Sequence, residues 1–350
     1  MGQNTASRVL IIVGLLTLGS RGLAEEPRSK YAVFDIPGHE SGATLHLEHA
    51  APTRAGCTTK RVALLVHGGF FPSSTVFAAD LPGGSALDRL AAACVSTYAL
   101  DVRGFGGSTR PAFMNEPVGP YVAYATTTQA QQDVGSALAF IRKREHVQRV
   151  SLVGWSWGSA ITGGYASKQP EQVDKLVLYG PAWIAKAPPP AQPLPGSYRT
   201  LDRAASRARV LNGVPPERAE EINPSAWFER WWALNLRYDT QGSQRNPPIV
   251  RAPSGGQQDF TDFWSQGKSP WDPSQVRAPT LVIVGEWDQN TPVDNAKTVH
   301  GLLTHAASRE LKILPEATHF AILEKNRAAL LDEFVRFLGA REAAPLSAKR

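Results

Sequence analysis

Long apolar runs are absent from this sequence, and their absence limits what the protein can be. The longest run occupies residues 9–18, well short of the roughly 20 apolar residues that a helix needs to cross a bilayer. No later segment is apolar enough to span a membrane either. The sequence therefore predicts no stable membrane anchor after removal of the leader described below.

Clusters of lysine and arginine interleaved with aromatic residues are also lacking. The chain of 350 residues has 37 basic and 31 acidic residues, a formal charge of +6. So small and scattered an excess argues against a nucleic acid partner. Hydrophobic residues make up 42% of the chain and charged residues 19%, as is typical of a globular protein. A chain of this length forms one large domain with an insertion, or two small domains.

The first 24 residues have the pattern of an export signal. Arg8 precedes the apolar run, and the small residues in Gly22-Leu23-Ala24 suit a signal peptidase. We predict that residues 1–24 are a signal peptide, cleaved after Ala24, and that the mature protein is secreted or periplasmic. A membrane-anchored form is the alternative. No cysteine lies near the cut, which disfavours a lipid anchor.

Cysteine is scarce, since the sequence contains only Cys57 and Cys94. Each precedes an apolar run typical of a core strand, at 62–66 and 95–100. Both thiols therefore lie at strand starts, at the end of a parallel sheet away from any active site. An oxidising compartment favours pairing, and we predict a Cys57–Cys94 disulfide. Two separate buried thiols are the alternative, because a bridge requires a Cα–Cα distance that the sequence does not show.

Short apolar runs alternate with longer helical patterns along most of the chain. This alternation predicts an α/β fold, with a mostly parallel central sheet of about eight strands and helices on both faces. The predicted strands are 31–36, 43–49, 62–66, 95–100, 149–153, 174–179, 280–284 and 310–314. The predicted helices are 85–93, 128–145, 157–168, 293–304 and 325–338.

The alternation stops after the sixth predicted strand. Six prolines between positions 181 and 195 prevent regular structure there. We predict a helical lid inserted at residues 182–273, with the aromatic stretch 227–232, over the sheet edge where loops gather. The α/β core then comprises 25–181 and 274–340, and residues 341–350 form a flexible tail. The sequence shows no internal repeat.

The strongest motif is Gly-Trp-Ser-Trp-Gly at residues 154–158, directly after a predicted strand and before a predicted helix. A strand, a tight turn and a helix in this order form the nucleophile elbow of a serine hydrolase. The turn holds its serine at a strained backbone position with the hydroxyl exposed. Ser156 is therefore the predicted nucleophile, and a coincidental glycine-rich turn is the alternative.

A serine hydroxyl needs a positioned imidazole to accept its proton. His319 follows the last predicted strand in a loop from which it can reach back over the sheet. The imidazole in turn needs a carboxylate, and Asp288 follows the strand at 280–284, with Glu286 as its rival. His300 and His305 lie in or at the end of a helical segment, where we expect them to be solvated.

The transition state also needs backbone amides to bind a developing oxyanion. One comes from Trp157, the residue after the nucleophile. The second comes from Gly69 or Phe70, in the loop His67-Gly68-Gly69-Phe70 after the strand at 62–66. We expect His67 to support this loop structurally. The spacing excludes a phosphate-binding P-loop, because no Lys-Ser or Lys-Thr pair follows these glycines at the required distance.

Taken together, these motifs resemble those of the α/β-hydrolase superfamily, over residues 31–339. The His-Gly-Gly loop at 67–69, the turn at 101–108, the elbow, Asp288 and His319 occur in the family's chain order. The resemblance implies a Ser156, Asp288, His319 triad. Related epoxide hydrolases and haloalkane dehalogenases have an aspartate at the elbow, so Ser156 argues against both activities. We interpret Asp101 as holding its turn.

The predicted function is a serine hydrolase that cleaves a carboxylic ester of a small to medium apolar or aromatic substrate, through an acyl-enzyme. We expect the pocket to include Trp155, Trp231, Trp232 and Phe320, and to favour apolar over charged substrates. The triad supplies all proton transfers, so we expect no metal and no organic cofactor. The partner is thus a small-molecule substrate, and the sequence leaves the oligomeric state open.

Two other functions are alternatives to this prediction. A prolyl-type aminopeptidase has a similar Ser-Trp-Gly elbow and binds the free amine through a lid carboxylate, for which Glu229 is the candidate. However, Ala233 follows Trp231-Trp232 where that family has a glutamate, and Phe70-Phe71 replaces its Pro-Gly. A non-catalytic ligand-binding protein on the same fold is the third possibility. Loss of a triad member is expected in such a protein, and none is missing here.

Overall fold

A computed structural model describes residues 30–57, 60–184 and 194–339. The predicted signal peptide at 1–24 and the predicted tail at 341–350 lie outside the described residues. Within the described part of the chain, no helix is both long and apolar enough to cross a bilayer.

An eight-stranded sheet forms the centre of the protein, as the sequence predicts. Its strand order is β1-β2-β4-β3-β5-β6-β9-β10. Strand β2 pairs antiparallel with β1 and with β4, and the other neighbours in this sheet are parallel. The strands of this sheet are β1 (Ala32–Pro37), β2 (Thr44–Ala50), β3 (Arg61–Val66), β4 (Val95–Asp101), β5 (Val150–Trp155), β6 (Val173–Tyr179), β9 (Thr280–Gly285) and β10 (Arg309–Leu314).

Helices cover both faces of this sheet. The β3–β4 connection and the later connections cross the sheet in opposite directions, and crossovers between parallel strands are right-handed. The helix before β4 therefore lies on the face opposite the helices that connect β4 to β5 and β5 to β6. The helices are α1 (Ser73–Val76), α2 (Ala86–Ala92), α3 (Thr127–Glu145), α4 (Trp157–Lys168), α5 (Arg203–Val210), α6 (Ala219–Ile222), α7 (Ser225–Tyr238), α8 (Thr240–Ser243), α9 (Gln258–Asp262), α10 (Val293–Leu302) and α11 (Arg327–Gly339). Helix α2 packs against α11, and α3 packs against α4.

The central strands are apolar on both sides because helices cover both faces. Every residue of β4, β5 and β9 is buried, which explains why these strands appear in the sequence as continuous apolar runs. The predicted strand and helix limits agree with the structure to within one or two residues.

The segment between β6 and β9 is largely helical, with α5 to α9, and it also includes two strands that the sequence analysis did not predict. It contains an antiparallel pair, β7 (Tyr198–Asp202) and β8 (Ile249–Pro253). Strand β7 carries mostly polar residues and buries only its first side chain well. It therefore lacks the apolar alternation by which a strand is recognised, and its partner lies far along the chain. We call residues 182–279 the insertion.

The predicted disulfide is present between Cys57 and Cys94. Their Cα atoms are 5.4 Å apart, and the residues precede β3 and β4 respectively. The bond thus joins the amino ends of two neighbouring parallel strands. The loops with the predicted catalytic residues lie at the opposite, carboxyl end of the sheet.

Candidate active site

The predicted site residues meet at the carboxyl ends of four strands of the central sheet. Gly69 follows β3, Ser156 follows β5, Asp288 follows β9 and His319 follows β10. Ser156 and His319 line one small cavity. The other residues of its wall are Gly68, Gly69, Phe70, Phe71, Trp155, Arg209 and Phe320. Residues far apart in sequence thus share one space because parallel strands end at the same edge.

Ser156 occupies the sharp turn between β5 and α4. Its φ of 56° and ψ of −120° lie outside the regions that non-glycine residues favour, and its amide donates to the Tyr179 carbonyl at 2.8 Å. A Cβ at Gly154 would lie 2.2 Å from Thr162 Oγ1, and one at Gly158 would lie 2.4 Å from the His67 carbonyl oxygen. Both glycines are therefore needed for strand and helix to approach closely enough to hold the serine in this conformation.

His319 and Asp288 form a buried, hydrogen-bonded pair. His319 Nδ1 lies 2.8 Å from Asp288 Oδ2, and both residues are about 2% exposed. A carboxylate accepts hydrogen bonds, so this contact places the proton of the neutral imidazole on Nδ1. Nε2 is then left as the basic nitrogen.

The loop around Asp288 holds its carboxylate in place. Asp288 Oδ1 accepts from the amides of Asn290 and Thr291 at 2.9 and 2.7 Å, and Oδ2 accepts from Thr291 Oγ1 at 2.9 Å. Glu286, the rival in the sequence, is exposed and accepts from the Glu316 amide at 3.0 Å. The carboxylate beside the imidazole is therefore that of Asp288.

A second network, which the sequence does not reveal, fixes the loop that carries His319. The His319 carbonyl accepts from Trp155 Nε1 at 3.1 Å and from the Tyr179 hydroxyl at 2.8 Å. The neighbouring Thr318 donates through its amide and hydroxyl to the fully buried Glu324. Burial raises the pKa of Glu324 to about 7, because desolvation disfavours the charged carboxylate. The backbone of His319 is thus held from both sides.

The predicted oxyanion amides are neighbours. As the first residue of α4, Trp157 has an amide with no partner inside the helix. A Cβ at Gly69 would lie 3.7 Å from Trp157 Cβ, and one at Gly68 would lie 3.1 Å from Ser156 Cβ. The glycine loop, with Phe70 as its next residue, therefore packs directly against the elbow.

His67 supports this loop, as the sequence suggests. Its Nε2 accepts from the Val102 amide at 3.1 Å, so Nδ1 carries the proton and donates to the Gly68 carbonyl at 2.7 Å. Complete burial lowers the pKa of His67 and keeps the ring neutral at pH 7. Asp101 holds the adjoining turn by accepting from the Ser74 amide at 3.0 Å.

Within the described residues, the Ser156 hydroxyl makes no direct hydrogen bond to His319. Both side chains nevertheless face the same cavity. Catalytic hydrogen bonds between a nucleophile and its base often tighten only when substrate is bound. The predicted nucleophile, base and carboxylate are therefore neighbours, although no hydrogen bond joins Ser156 to His319 in the described residues.

The aromatic wall differs in part from the prediction. Trp155 and Phe320 line the cavity, together with Phe71, which the sequence analysis did not single out. Trp231 and Trp232 do not line it, although the sequence analysis placed them there. Trp231 is 1% exposed and packs edge-on against Phe71, with ring centroids 4.6 Å apart. Both tryptophans are buried, and Trp231 lies behind Phe71, which lines the cavity.

Two arginines of the insertion lie beside the glycine loop, and no sequence signal marked them. Arg209 lines the cavity. Arg199 donates to the Gly69 carbonyl, and its guanidinium carbon lies 5.0 Å from the centre of the Phe70 ring. Burial, followed by the charge of Arg209, lowers the pKa of Arg199 to about 9. Both side chains are positively charged at pH 7.

Glu229, the candidate amine-binding carboxylate, is not at the cavity. It forms an ion pair with Arg203 on the protein surface, where both side chains are about half exposed. The arrangement expected of a prolyl-type aminopeptidase is therefore not found at this residue.

Three comparisons with known proteins agree with this geometry. A profile of the alpha/beta hydrolase fold matches residues 62–326. The chain is similar to a putative 2-succinyl-6-hydroxy-2,4-cyclohexadiene-1-carboxylate synthase of Bacillus subtilis, at 28% identity over 61% of the chain and 73% of the relative. It is also 32% identical over 98 residues to the abhydrolase domain-containing protein abhd-5.2 of Caenorhabditis elegans. That match covers 28% of this chain and spans only 20% of the relative.

Among solved structures, the fold is similar to that of a serine hydrolase involved in carbazole degradation. The TM-score is 0.59 and the sequence identity is 20%, over 89% of this chain and the whole of the other. The similarity therefore extends over the central sheet and most of the insertion.

Proposed function

The chain belongs to the alpha/beta hydrolase fold family, and on that premise we propose that it is a serine hydrolase that cleaves carboxylic esters through an acyl-enzyme. The buried His319–Asp288 pair beside Ser156 is the observation that carries this proposal. In such a site, a serine on a strained turn faces an imidazole whose tautomer is already fixed.

In the first half of the reaction, His319 Nε2 accepts the Ser156 proton as Oγ attacks the carbonyl carbon of the ester. The charge that develops on the carbonyl oxygen is bound by the amide of Trp157 and by that of Gly69 or Phe70. The C–O bond to the alcohol then breaks, and the imidazolium returns its proton to the departing alkoxide. Asp288 stabilises the imidazolium during this step.

In the second half, water replaces the alcohol. His319 accepts a proton from water, and the oxygen attacks the acyl-enzyme carbonyl. When the Ser156 ester bond breaks, the proton returns to Oγ, and the free acid leaves. Residues of this chain supply every proton transfer in both halves, so the mechanism requires no cofactor.

The aromatic wall supports a substrate with an apolar or aromatic part. Phe70, Phe71, Trp155 and Phe320 line the cavity together with Ser156, and such a wall favours an apolar acyl or aryl group. We include export in the proposal, because a predicted leader precedes a chain that contains a disulfide.

Ser156→Ala tests the proposal directly. We expect kcat for 4-nitrophenyl esters to fall by about 10³-fold or more, because the covalent pathway is lost. A fluorophosphonate should label the wild type and not the variant. Ser167→Ala is a matched control on the same helix, since its hydroxyl donates to the Gly164 carbonyl, away from the elbow. Retention of a tenth of the wild-type rate by Ser156→Ala would contradict the proposal.

A further inference from the structure

The ten arginines of the insertion fall into two groups. Five of them form an ion pair with a carboxylate. The ion pairs are Arg203–Glu229, Arg207–Glu220, Arg218–Glu221, Arg230–Asp80 and Arg251–Asp239. The other five form no ion pair with a carboxylate in residues 30–57, 60–184 or 194–339: Arg199, Arg209, Arg237, Arg245 and Arg277. Of these five, Arg209 lines the cavity and Arg199 contacts its glycine loop.

Arg209 presents a free guanidinium to the cavity. It lies in α5 and lines the same wall as Ser156 and His319. In the part of the chain that the structure describes, its side chain makes no hydrogen bond. A guanidinium has five N–H donors in a planar fork, and all of them are available here to a molecule that enters the cavity.

Arg199 adds a second positive charge behind this wall. Its guanidinium donates to the carbonyls of Gly69 and Pro253 and stacks over Phe70. These acceptors are neutral, so they satisfy hydrogen bonds without balancing the charge. The effect of Arg209 on the pKa of Arg199 shows that the two cations are close enough to repel each other.

Two neighbouring cations without a counter-charge repel each other, although Arg209 is exposed and water reaches it. An anion placed against Arg209 would relieve this repulsion and would replace that water as the acceptor for its N–H groups. Nε and Nη2 of Arg199 already donate to carbonyls, so Arg209 offers the one complete fork of the two. One fork matches one planar carboxylate in a bidentate geometry.

We propose that Arg209, with Arg199 behind it, binds a carboxylate of the substrate, so that the ester cleaved by this enzyme also carries an acidic group. This inference rests on the proposed esterase function. The apolar part of the substrate lies against Phe71, Trp155 and Phe320, and its acid lies against Arg209. The expectation that apolar substrates are preferred to charged ones is thereby revised.

Matched ester pairs test the assignment. One pair carries the acid on the acyl side, as mono(4-nitrophenyl) adipate against 4-nitrophenyl hexanoate. The other carries it on the alcohol side, as 4-acetoxybenzoate against its methyl ester. We expect the wild type to have the higher kcat/KM for the anionic member of at least one pair. Arg209→Gln should reduce that preference by about ten- to hundredfold, the range for a charge-assisted hydrogen bond.

Two further variants separate recognition from a general loss of charge or fold. Arg209→Lys keeps the charge without the fork, so it should retain part of the preference. Arg237→Gln removes an exposed arginine of the same insertion, and it should keep the wild-type ratio. Thermal unfolding of Arg209→Gln at the wild-type midpoint would show that the fold is intact.

Binding measured without turnover makes the two proposals separable. By calorimetry, 4-methylbenzoate should bind the wild type more tightly than 4-methylbenzamide, and Arg209→Gln should abolish the difference. Equal binding of acid and amide, or an unchanged ester preference in Arg209→Gln, would overturn the carboxylate site. Hydrolysis of the neutral esters would still support the esterase. A clear difference in binding without hydrolysis of any ester would instead overturn the esterase and leave the anion site standing.

Discussion

The two sides of the cavity are built in different ways. On the core side, Ser156, Asp288 and His319 come from the ends of central strands and are fixed by short hydrogen bonds and a strained turn. On the insertion side, Arg209 comes from a helix outside the sheet and has no partner within the described residues. The core therefore positions the proposed catalytic groups, and the insertion carries the arginine that we propose to bind the substrate. Chemistry and recognition can change separately in such an arrangement.

The largest expected effect comes from breaking the core side. Asp288→Asn should lower kcat by about 10⁴-fold, because an amide no longer holds the imidazole in the required tautomer. The ratio of rates for anionic and neutral esters should stay the same, since Arg209 is untouched. Glu286→Gln is the matched control, and its kcat should remain near that of the wild type. Steady-state kinetics on purified variants would measure both, and the reverse order would transfer the role to Glu286.

A smaller effect is expected where the two sides are joined. Trp231 of the insertion is almost fully buried against Phe71 of the core. Trp231→Ala should reduce the free energy of unfolding by about 3–5 kcal/mol, the range for truncating a large buried aromatic. Trp227→Ala, one turn earlier on α7 and only partly buried, should cost less. Denaturant titration would test this. Equal losses for both variants would show that Trp231 does not link insertion and core.

The smallest effect concerns the support of the His319 loop. Glu324 has a pKa of about 7 in the folded chain and an ordinary value of 4.5 when exposed. As pH rises, the unfolded chain therefore loses this proton near pH 4.5, whereas the folded chain keeps it until about pH 7. The free energy of unfolding decreases between these two pH values. A pKa shift of this size changes the free energy of unfolding by about 3 kcal/mol.

Glu324→Gln should remove this contribution while keeping an acceptor for Thr318. Its free energy of unfolding, measured by denaturant titration at several pH values, should fall less steeply than that of the wild type between about pH 4.5 and pH 7. Glu286→Gln should follow the wild-type curve, because that residue is exposed. Parallel curves for Glu324→Gln and the wild type would show that the buried carboxyl does not titrate in this window.

The sequence predicts the core because its signals are local. Each central strand is a short apolar run between helical patterns, and the residues around Ser156 carry the elbow in five consecutive positions. Positions directly after strands also locate Asp288 and His319, because parallel strands end at one edge. Their catalytic roles stay predictions, whereas their proximity is described by the structure.

The insertion is less predictable because its signals depend on distant partners. The pairing of β7 with β8 joins segments separated by residues 203–248, and neither strand alternates clearly. The direction in which Trp231 faces depends on the packing of α7. Arg209 is one of many arginines, and only the tertiary structure shows that it lacks the carboxylate that neighbouring arginines have.

The wide spacing of the site along the chain has a consequence for how the protein folds. Gly69 and His319 are 250 positions apart, and the loops after β9 and β10 reach the cavity only when the chain has returned from the insertion. Contacts between such distant segments form late, because closing long loops is entropically unfavourable. In refolding, circular dichroism should therefore recover before catalytic activity does. The recovery of activity would therefore show when β10 has joined the edge of the sheet.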